Sequence, residues 1–281
     1  MKKIGVVGCG TMGAGIAQVC AQSGYQVVVS EINDELLKKG LALIDSSLTK
    51  AVERGRLSQQ DKDATVSRIK GTTQTQDFSD CDLMIEVAIE QMDLKKEIFA
   101  ELDKICPEHA ILASNTSCLS IIDMAMATRR PEKVLGLHFF NPVPLMKLLE
   151  IVKTIATSEE TLKTAKDFGN TTGKTVVIAQ DMPGFIVNRL LIPFILNAIR
   201  MFDSGVATKE DIDTGINLGL NHPLGPIAIA DLIGLDTLHF IASSLYDEFK
   251  DPQYASPPLL RKMVTAGWLG RKTGKGFYEY K

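Results

Sequence analysis

A histidine and a glutamate in two successive apolar segments could form an acid–base pair. His138 lies near the end of Val134–Phe139, and Glu150 lies inside Leu148–Val152. Both segments are predicted strands, and open α/β sheets bind ligands beyond the carboxyl ends of their strands. A buried carboxylate is costly unless it is paired, so we expect Glu150 to face His138 from the neighbouring strand. Such a carboxylate would orient the imidazole for proton transfer near neutral pH.

The alternative for each of these residues is a purely structural role. Strand-end histidines more often serve only the fold, and Glu150 could face solvent, although its four apolar neighbours disfavour that position. The other three histidines are weaker catalytic candidates. His109 lies in a polar loop, His222 lies in an Asn-His-Pro turn, and His239 lies in an amphipathic helix.

A glycine-rich motif predicts binding of a dinucleotide cofactor. It reads Gly8-Cys9-Gly10-Thr11-Met12-Gly13, follows a short apolar strand directly and opens a predicted helix. In this context Gly8 permits a tight turn, Gly10 lets the backbone approach a pyrophosphate, and Gly13 allows close helix–strand packing. The helix N-terminus would face the phosphates. A glycine-rich turn without a ligand is the weaker alternative, because strand, motif and helix coincide here.

Glu31 bears on the choice between NAD and NADP. It follows the second predicted strand, 18 residues after Gly13, where a carboxylate can accept hydrogen bonds from the adenosine ribose hydroxyls. The same charge would repel a 2′-phosphate, which favours NAD. Lys38 and Lys39 lie near enough in sequence to weaken this repulsion, so NADP remains an alternative.

Two further polar sites could hold the substrate or the cofactor. Ser114–Ser117 reads Ser-Asn-Thr-Ser and follows the predicted strand Ala110–Ala113. It could serve the nicotinamide ribose and a substrate oxygen, cap the next helix, or do both. Asn188 is predicted to lie one turn inside the helix after the domain boundary, from where its amide could reach a cleft. The alternative for Asn188 is a tolerated helix residue.

The elements that must position these residues alternate between strand and helix up to Pro183. Such alternation predicts a mostly parallel sheet covered on both faces. Beyond that point only helical patterns follow: Phe185–Asp203, Lys209–Leu218, Ile227–Phe249 and Pro258–Ala266. The predicted fold is α/β, a Rossmann-like doubly wound sheet over residues 1–183, followed by an all-α C-terminal domain over residues 184–281.

The predicted sheet is built from short apolar strands and contains one inserted helical hairpin. The strands are Ile4–Val7, Tyr25–Ser30, Asp82–Val87, Ala110–Ala113, Val134–Phe139, Leu148–Val152 and Thr175–Ala179. The hairpin comprises Asp34–Arg54 and Ser58–Arg68, with Lys50, Arg54 and Arg56 at its turn. The other helices are predicted over Gly13–Ser23, Leu94–Asp103, Leu119–Ala127 and Glu159–Thr171.

Composition argues against several classes of protein. The net charge is −3, with 31 basic and 34 acidic residues, so no strong basic field supports nucleic-acid binding. No stretch reaches the ~18 uninterrupted apolar residues of a membrane span. The five cysteines contain no CxxC pair, which argues against a disulfide framework and a metal site. We expect a cytoplasmic protein with reduced thiols, no signal peptide, no membrane partner and no metal.

Five motifs are distributed along essentially the whole chain: Val7–Gly13, Ser114–Ser117, His138–Pro142, Pro183–Arg189 and Gly267–Tyr278. Together they make the sequence resemble the short-chain L-3-hydroxyacyl-CoA dehydrogenases. The resemblance implies hydride transfer between a nicotinamide cofactor and an acyl-CoA substrate, interconverting (S)-3-hydroxybutyryl-CoA and acetoacetyl-CoA. Reduction in butyrate formation and oxidation in fatty-acid breakdown would use the same residues. A homodimer is also implied, with the helical domain covering the cleft and supplying the interface.

The resemblance also implies roles for individual residues. His138 would be the acid/base with Glu150 as its partner, and Ser117 and Asn188 would hold the reacting oxygen. The cofactor-binding candidates beyond the glycine motif and Glu31 are Glu90, Lys95, Asn115, Ser117 and Asn141.

The helical hairpin matches the family pattern, and Glu31 departs from it. Among the hairpin cations, Lys50 and Arg54 are the substrate-binding candidates, because the hairpin matches the region that meets the CoA tail. Glu31 stands where an aspartate is common in the family, which keeps the charge and changes the reach of the side chain.

Two other functions stay open on the sequence. A related hydroxyacid dehydrogenase, such as L-gulonate 3-dehydrogenase, would share the architecture and the His–Glu pair, and the hairpin cations favour a CoA substrate only weakly. A non-catalytic NAD-binding protein would keep the glycine motif and lose the chemistry. The presence of His138, Glu150, Ser117 and Asn188 together disfavours this second alternative.

Overall fold

The computed structural model describes residues 1–280. These residues form two compact units that divide between Met182 and Pro183. The first unit contains one large sheet with helices packed against it, and the second is helical. The predicted α/β class, with a mostly parallel Rossmann-like sheet followed by a helical domain, is confirmed.

Eight strands form the sheet of the first unit. They are β1 (Lys3–Val7), β2 (Gln26–Ser30), β3 (Ile69–Thr72), β4 (Leu83–Glu86), β5 (Ile111–Ser114), β6 (Val134–Phe139), β7 (Leu148–Lys153) and β8 (Thr175–Gln180). Their order across the sheet is β3-β2-β1-β4-β5-β6-β7-β8. Neighbouring strands are parallel except β6 and β7, which are antiparallel. The chain therefore reverses direction where His138 and Glu150 are located.

Six α-helices belong to the described part of the first unit. They are α1 (Thr11–Gln22), α2 (Asp34–Glu53), α3 (Gln59–Ser67), α4 (Met92–Ile105), α5 (Ile121–Ala125) and α6 (Glu159–Thr171). Every residue of β4, β5 and β6 is buried. Strands that are covered on both faces require apolar side chains on both, which explains why these segments are apolar apart from Glu86, Ser114 and His138.

The edge strand β3 was not predicted from the sequence. It reads Ile-Lys-Gly-Thr, so it contains a single large apolar residue and shows no clear alternation. The strand forms because α2 and α3 return the chain to the sheet edge, where β3 pairs with β2 in parallel. Ser58 caps α3 by accepting a hydrogen bond from the Asp61 amide at 3.0 Å.

The second unit contains five α-helices in its described residues. They are α7 (Val187–Asp203), α8 (Lys209–Leu220), α9 (Pro226–Ile233), α10 (Leu235–Phe249) and α11 (Pro258–Thr265). The single helix predicted over Ile227–Phe249 was wrong. Gly234 has φ +99°, which interrupts the helix, and the Leu235 amide bonds to the Leu269 carbonyl instead of to the preceding turn.

Two buried aspartates anchor the C-terminal segment to the helices. Asp231 accepts hydrogen bonds from the Phe277 amide, the Tyr278 amide and the Tyr280 hydroxyl at 2.8–2.9 Å. Asp213 caps α9 through two backbone amides and accepts the Tyr278 hydroxyl at 2.9 Å. Burial, and then the Asp231 carboxylate, raise the pKa of Tyr280 to about 12, so its hydroxyl stays protonated as a donor.

Within residues 1–280, no single helix is both long and apolar enough to cross a membrane. The pair α9 and α10 together meet that criterion by length and composition, with a bend of 98° between them.

We predict that Asp231→Asn destabilises the helical unit. The amide offers one acceptor oxygen where the carboxylate met three donors, and a buried donor left unsatisfied costs about 1–3 kcal/mol. Chemical denaturation would measure the loss. Asp247→Asn is the matched control, because Asp247 is exposed and its side chain pairs with that of Lys250 on the surface of α10. Equal unfolding midpoints for the two variants would contradict the anchoring role.

Candidate active site

His138 and Glu150 are directly opposite each other on β6 and β7. Opposed residues on neighbouring strands point to the same face of the sheet. The His138 Nδ1 lies 2.6 Å from the Glu150 Oε2, and the side chains are 5% and 0% exposed. A carboxylate only accepts hydrogen bonds, so it selects the tautomer with a proton on Nδ1 and leaves Nε2 to exchange a proton.

Ser117 lies beside the other nitrogen of the same imidazole. Its Oγ is 3.2 Å from the His138 Nε2. The backbone amide of Ser117 donates to the Glu90 Oε1 at 2.9 Å, which fixes the loop. An oxygen bound near Nε2 would therefore meet both a proton-transferring imidazole and a hydroxyl donor.

The polar segment after β5 is held by hydrogen bonds within its own turn and by one bond to β6. The Thr116 Oγ1 accepts from the amides of Cys118 and Leu119. The Asn115 Oδ1 accepts from the Phe139 amide at 2.9 Å, which ties this loop to the end of β6 beside His138. The alternative that Ser114–Ser117 caps the next helix is wrong, because α5 begins at Ile121 and its cap is Ser120, whose side chain accepts a hydrogen bond from the Asp123 amide.

A cavity of about 320 Å³ opens along the carboxyl edge of β1, β4 and β5. Eight of the eleven cofactor candidates line it: Gly10, Thr11, Met12, Gly13, Glu90, Lys95, Asn115 and Ser117. Gly8, Glu31 and Asn141 are outside this lining. Asn141 lines a smaller adjoining cavity together with Thr11.

The glycine motif has the geometry that a bound pyrophosphate requires. Gly8 has φ +97°, a conformation that favours glycine. A Cβ at Gly13 would overlap the carbonyl oxygen of Gly8, whereas a Cβ at Gly10 would meet no atom within 4 Å. The open space at Gly10 faces the start of α1, where free amides and the helix dipole attract phosphate.

Glu31 lies immediately after β2 and reaches across to the glycine motif. Its Oε1 accepts from the Cys9 amide at 2.7 Å. Burial, and then the charge of Glu31, raise the pKa of Cys9 to about 12, so this thiol stays neutral at physiological pH. The side chain of Lys39 pairs with Glu35 on the surface of α2.

Lys95 is fully buried in an ion pair that the sequence analysis did not identify. Its Nζ lies 2.7 Å from the Glu86 Oε1, and the two side chains are 1% and 0% exposed. A signal for Glu86 was available, because it is a lone carboxylate in the apolar run Leu83–Val87. The same reasoning had singled out Glu150.

The hairpin cations Lys50, Arg54 and Arg56 line another cavity, also of about 320 Å³. Gln18 and Gln22 of α1 add polar groups, and Pro142, Pro144 and Leu145 form part of its wall. This cavity therefore combines cationic, polar and apolar surface within the first unit.

Asn188 belongs to the second unit. It is the second residue of α7 and is half-buried. The prediction that it lies a full turn inside its helix was wrong, because α7 begins at Val187 and not at Phe185. The positive φ of Gly184 and Phe185 delays the start of the helix.

A dinucleotide-binding sheet with a histidine–carboxylate pair at its carboxyl edge is typical of nicotinamide-dependent dehydrogenases. Comparison with known proteins specifies the family. Residues 3–182 match the family model for the 3-hydroxyacyl-CoA dehydrogenase NAD binding domain. Residues 184–280 match the model for the 3-hydroxyacyl-CoA dehydrogenase C-terminal domain.

Curated relatives and a solved structure agree with these matches. The chain is 47% identical to a 3-hydroxybutyryl-CoA dehydrogenase of Mycobacterium tuberculosis, covering 100% of this chain and 99% of the relative. It is 47% identical to one of Clostridioides difficile, covering 99% of both chains. The crystal structure of (S)-3-hydroxybutyryl-CoA dehydrogenase from Ralstonia eutropha matches with a TM-score of 0.96 and 44% identity, covering 100% and 99% of the chains. The chain therefore belongs to the 3-hydroxyacyl-CoA dehydrogenase family and is an oxidoreductase, and the resemblance read from its motifs is confirmed.

We predict that two glycine substitutions separate cofactor binding from folding. Gly10→Ala should keep wild-type stability, because its Cβ meets nothing in the protein, and should weaken NADH binding because it fills space next to the phosphates. Gly13→Ala should lower stability through the clash with Gly8. Thermal unfolding and NADH titration would measure both effects. Wild-type NADH affinity in Gly10→Ala would contradict the placement of the pyrophosphate.

Proposed function

We propose that this protein interconverts (S)-3-hydroxybutyryl-CoA and acetoacetyl-CoA with NAD as the cofactor. The observation that carries the proposal is the contact series from Glu150 through His138 to Ser117, at 2.6 Å and 3.2 Å. A polarised carbonyl oxygen and a nearby proton carrier are what reduction of a ketone requires from the protein.

In the direction of reduction, protonated His138 gives a proton from Nε2 to the 3-keto oxygen. Glu150 holds the imidazole in the required orientation and stabilises its charged form. Ser117 would donate a hydrogen bond to the same oxygen and polarise the carbonyl, and the family resemblance implies the same role for Asn188. The bound nicotinamide supplies the hydride chemistry. In the direction of oxidation, neutral His138 removes the proton of the 3-hydroxyl group.

The residues for the cofactor follow the order of strands in the sheet. Glu31 beyond β2 would accept the adenosine ribose hydroxyls, and Gly8–Gly13 beyond β1 would hold the pyrophosphate. Glu90 in the loop after β4, Lys95 on α4 and Asn115 after β5 would line the nicotinamide half. Asn141 would add a contact nearby. The charge of Glu31 favours NAD over NADP.

The acyl-CoA substrate would place its anionic tail at the helical hairpin. One cavity there is lined by Lys50, Arg54 and Arg56. Its lining contains no carboxylate. Cations in a partly apolar depression suit a phosphorylated adenosine group. This charge favours acyl-CoA over a sugar acid as the substrate.

The helical unit, which begins at Pro183, would form a homodimer. Its described surface carries strongly exposed apolar side chains: Leu190, Val206, Leu218 and Leu220. Contiguous apolar patches mark protein–protein contacts, and these side chains are the ones that such an interface would cover. The five cysteines are buried and form no disulfide within residues 1–280, which is compatible with the reducing conditions of the cytoplasm, where we place the enzyme.

The experiment that tests this function is NADH oxidation by acetoacetyl-CoA, followed at the reduced-nicotinamide absorbance band. We expect rapid oxidation of NADH and much slower oxidation of NADPH. Preference for NADPH would overturn the role of Glu31 and keep the reaction. Absence of turnover with either cofactor would overturn the proposed substrate.

We predict that His138→Ala lowers kcat by about 10²–10⁴-fold, the range for loss of general acid–base catalysis. NADH affinity should change little, because His138 does not line the cofactor cavity. His109→Ala is the control, since His109 is 65% exposed and bonds to Asp82. Near-wild-type turnover in His138→Ala would contradict the assignment.

A further inference from the structure

Glu86 is a buried carboxylate that joins two loops of the cofactor cavity. It ends β4 and is completely buried. Its Oε1 accepts hydrogen bonds from the Ala88 amide at 2.6 Å and from the Lys95 Nζ at 2.7 Å. Its Oε2 accepts from the Ser114 hydroxyl at 2.6 Å. One side chain thus holds the loop after β4, the start of α4 and the end of β5.

The ammonium group of Lys95 has three possible partners, which lie at different distances. Two short bonds go to the Glu86 Oε1 at 2.7 Å and the Ala88 carbonyl at 3.1 Å. The third partner, the Glu90 Oε2, is 3.5 Å away, and that oxygen is buried without a hydrogen bond. The negative charge of Glu86 therefore draws Lys95 towards the sheet and away from Glu90.

Glu90 depends on this arrangement because its other oxygen serves the catalytic loop. The Glu90 Oε1 accepts from the Ser117 amide at 2.9 Å and from the Thr116 hydroxyl at 3.1 Å. A Lys95 without Glu86 would pair with Glu90 instead, as its remaining carboxylate within reach. That movement would pull Glu90 away from the Ser117 amide.

The Ser114 branch reaches the same loop from the other side. The Ser114 Oγ donates to Glu86 and accepts from the Thr116 amide at 3.2 Å. The Asn115 amide bonds to the backbone carbonyl of Glu86 at 2.8 Å. Both branches end on residues 114–117, beside the part of the cavity that lies beyond β4 and β5.

We propose that Glu86 is a positioning residue for the nicotinamide half of the cofactor. It keeps Lys95 away from Glu90 and fixes residues 114–117, so the cavity beyond β4 and β5 is formed before the cofactor arrives. The proposal rests on the proposed function, because it requires NAD to run from Glu31 across the glycine motif to this part of the cavity. The adenosine half, held beyond β1 and β2, does not depend on Glu86.

The test is Glu86→Gln in the full chain, with affinities for NADH and for ADP measured by calorimetry. Glutamine keeps the shape of the side chain and removes the charge beside Lys95. We expect NADH affinity to fall about tenfold or more, because binding would then have to order residues 114–117 and separate Lys95 from Glu90. ADP affinity should stay within about twofold, since in the proposed placement ADP would contact the glycine motif and Glu31 and not the loops held by Glu86.

Asp103→Asn is the matched control for a general loss of stability. Asp103 is also a buried acid of the first unit, and it pairs with Arg129 and Arg130 away from the cavity. We expect this variant to unfold at a lower temperature with both affinities unchanged. A Glu86→Gln protein that is destabilised like Asp103→Asn but binds NADH as wild type does would overturn the proposal. Equal losses of NADH and ADP affinity would also overturn it.

If Glu86→Gln does not fold, Ser114→Ala is the replacement test. It removes only the two bonds of the Ser114 hydroxyl, the one it donates to Glu86 and the one it accepts from the Thr116 amide. It should lower NADH affinity severalfold with ADP affinity unchanged, and wild-type binding of both ligands would count against the proposal. These measurements use binding alone. An enzyme that binds NADH and does not reduce acetoacetyl-CoA would refute the proposed substrate without affecting the role of Glu86.

Discussion

Buried carboxylates in this protein are surrounded by donors that replace the water they have lost, and the site depends on that constraint. Glu150 meets His138 across two strands, and Glu86 meets Lys95, Ser114 and the Ala88 amide. Asp231 does the same for the C-terminal segment of the helical unit. Moving one partner away would leave a buried charge without compensation, which costs several kcal/mol. This cost holds each cluster in its geometry.

The buried carboxylate of Glu150 obtains its partner through the antiparallel pairing of β6 and β7. His138 and Glu150 share a face because they are opposed in register. A shift of one residue would turn Glu150 to the other face and leave both groups without their partner. The bond from the Phe139 amide to Asn115 then joins the end of β6 to the loop that carries Ser117. Proton transfer thus depends on strand register as well as on residue type.

Much of this site was predictable because its signals are local. The glycine motif between a strand and a helix predicted the turn at Gly8, and the apolar neighbours of Glu150 predicted a buried, paired acid. The same signal at Glu86 was overlooked, since a partner nine residues away on a helix has no pattern of its own. The strand β3 formed from tertiary pairing against a weak local preference.

The helical unit was harder to predict in detail. The apolar periodicity of residues 227–249 continues through Gly234, although the backbone turns there with positive φ. A glycine inside a helical pattern is tolerated often enough that periodicity alone does not mark a break. The start of α7, and with it the place of Asn188 in its first turn, depended on the positive φ of Gly184 and Phe185, which sequence periodicity does not report.

A double-mutant cycle on His138 and Glu150 tests most directly whether the two residues act as one unit. The measurement is kcat for acetoacetyl-CoA reduction in Glu150→Gln, in His138→Ala and in the double variant. If Glu150 acts only through the imidazole, adding Glu150→Gln to His138→Ala will lower kcat no further. Losses that multiply in the double variant would contradict the account, because they would give Glu150 a role independent of His138.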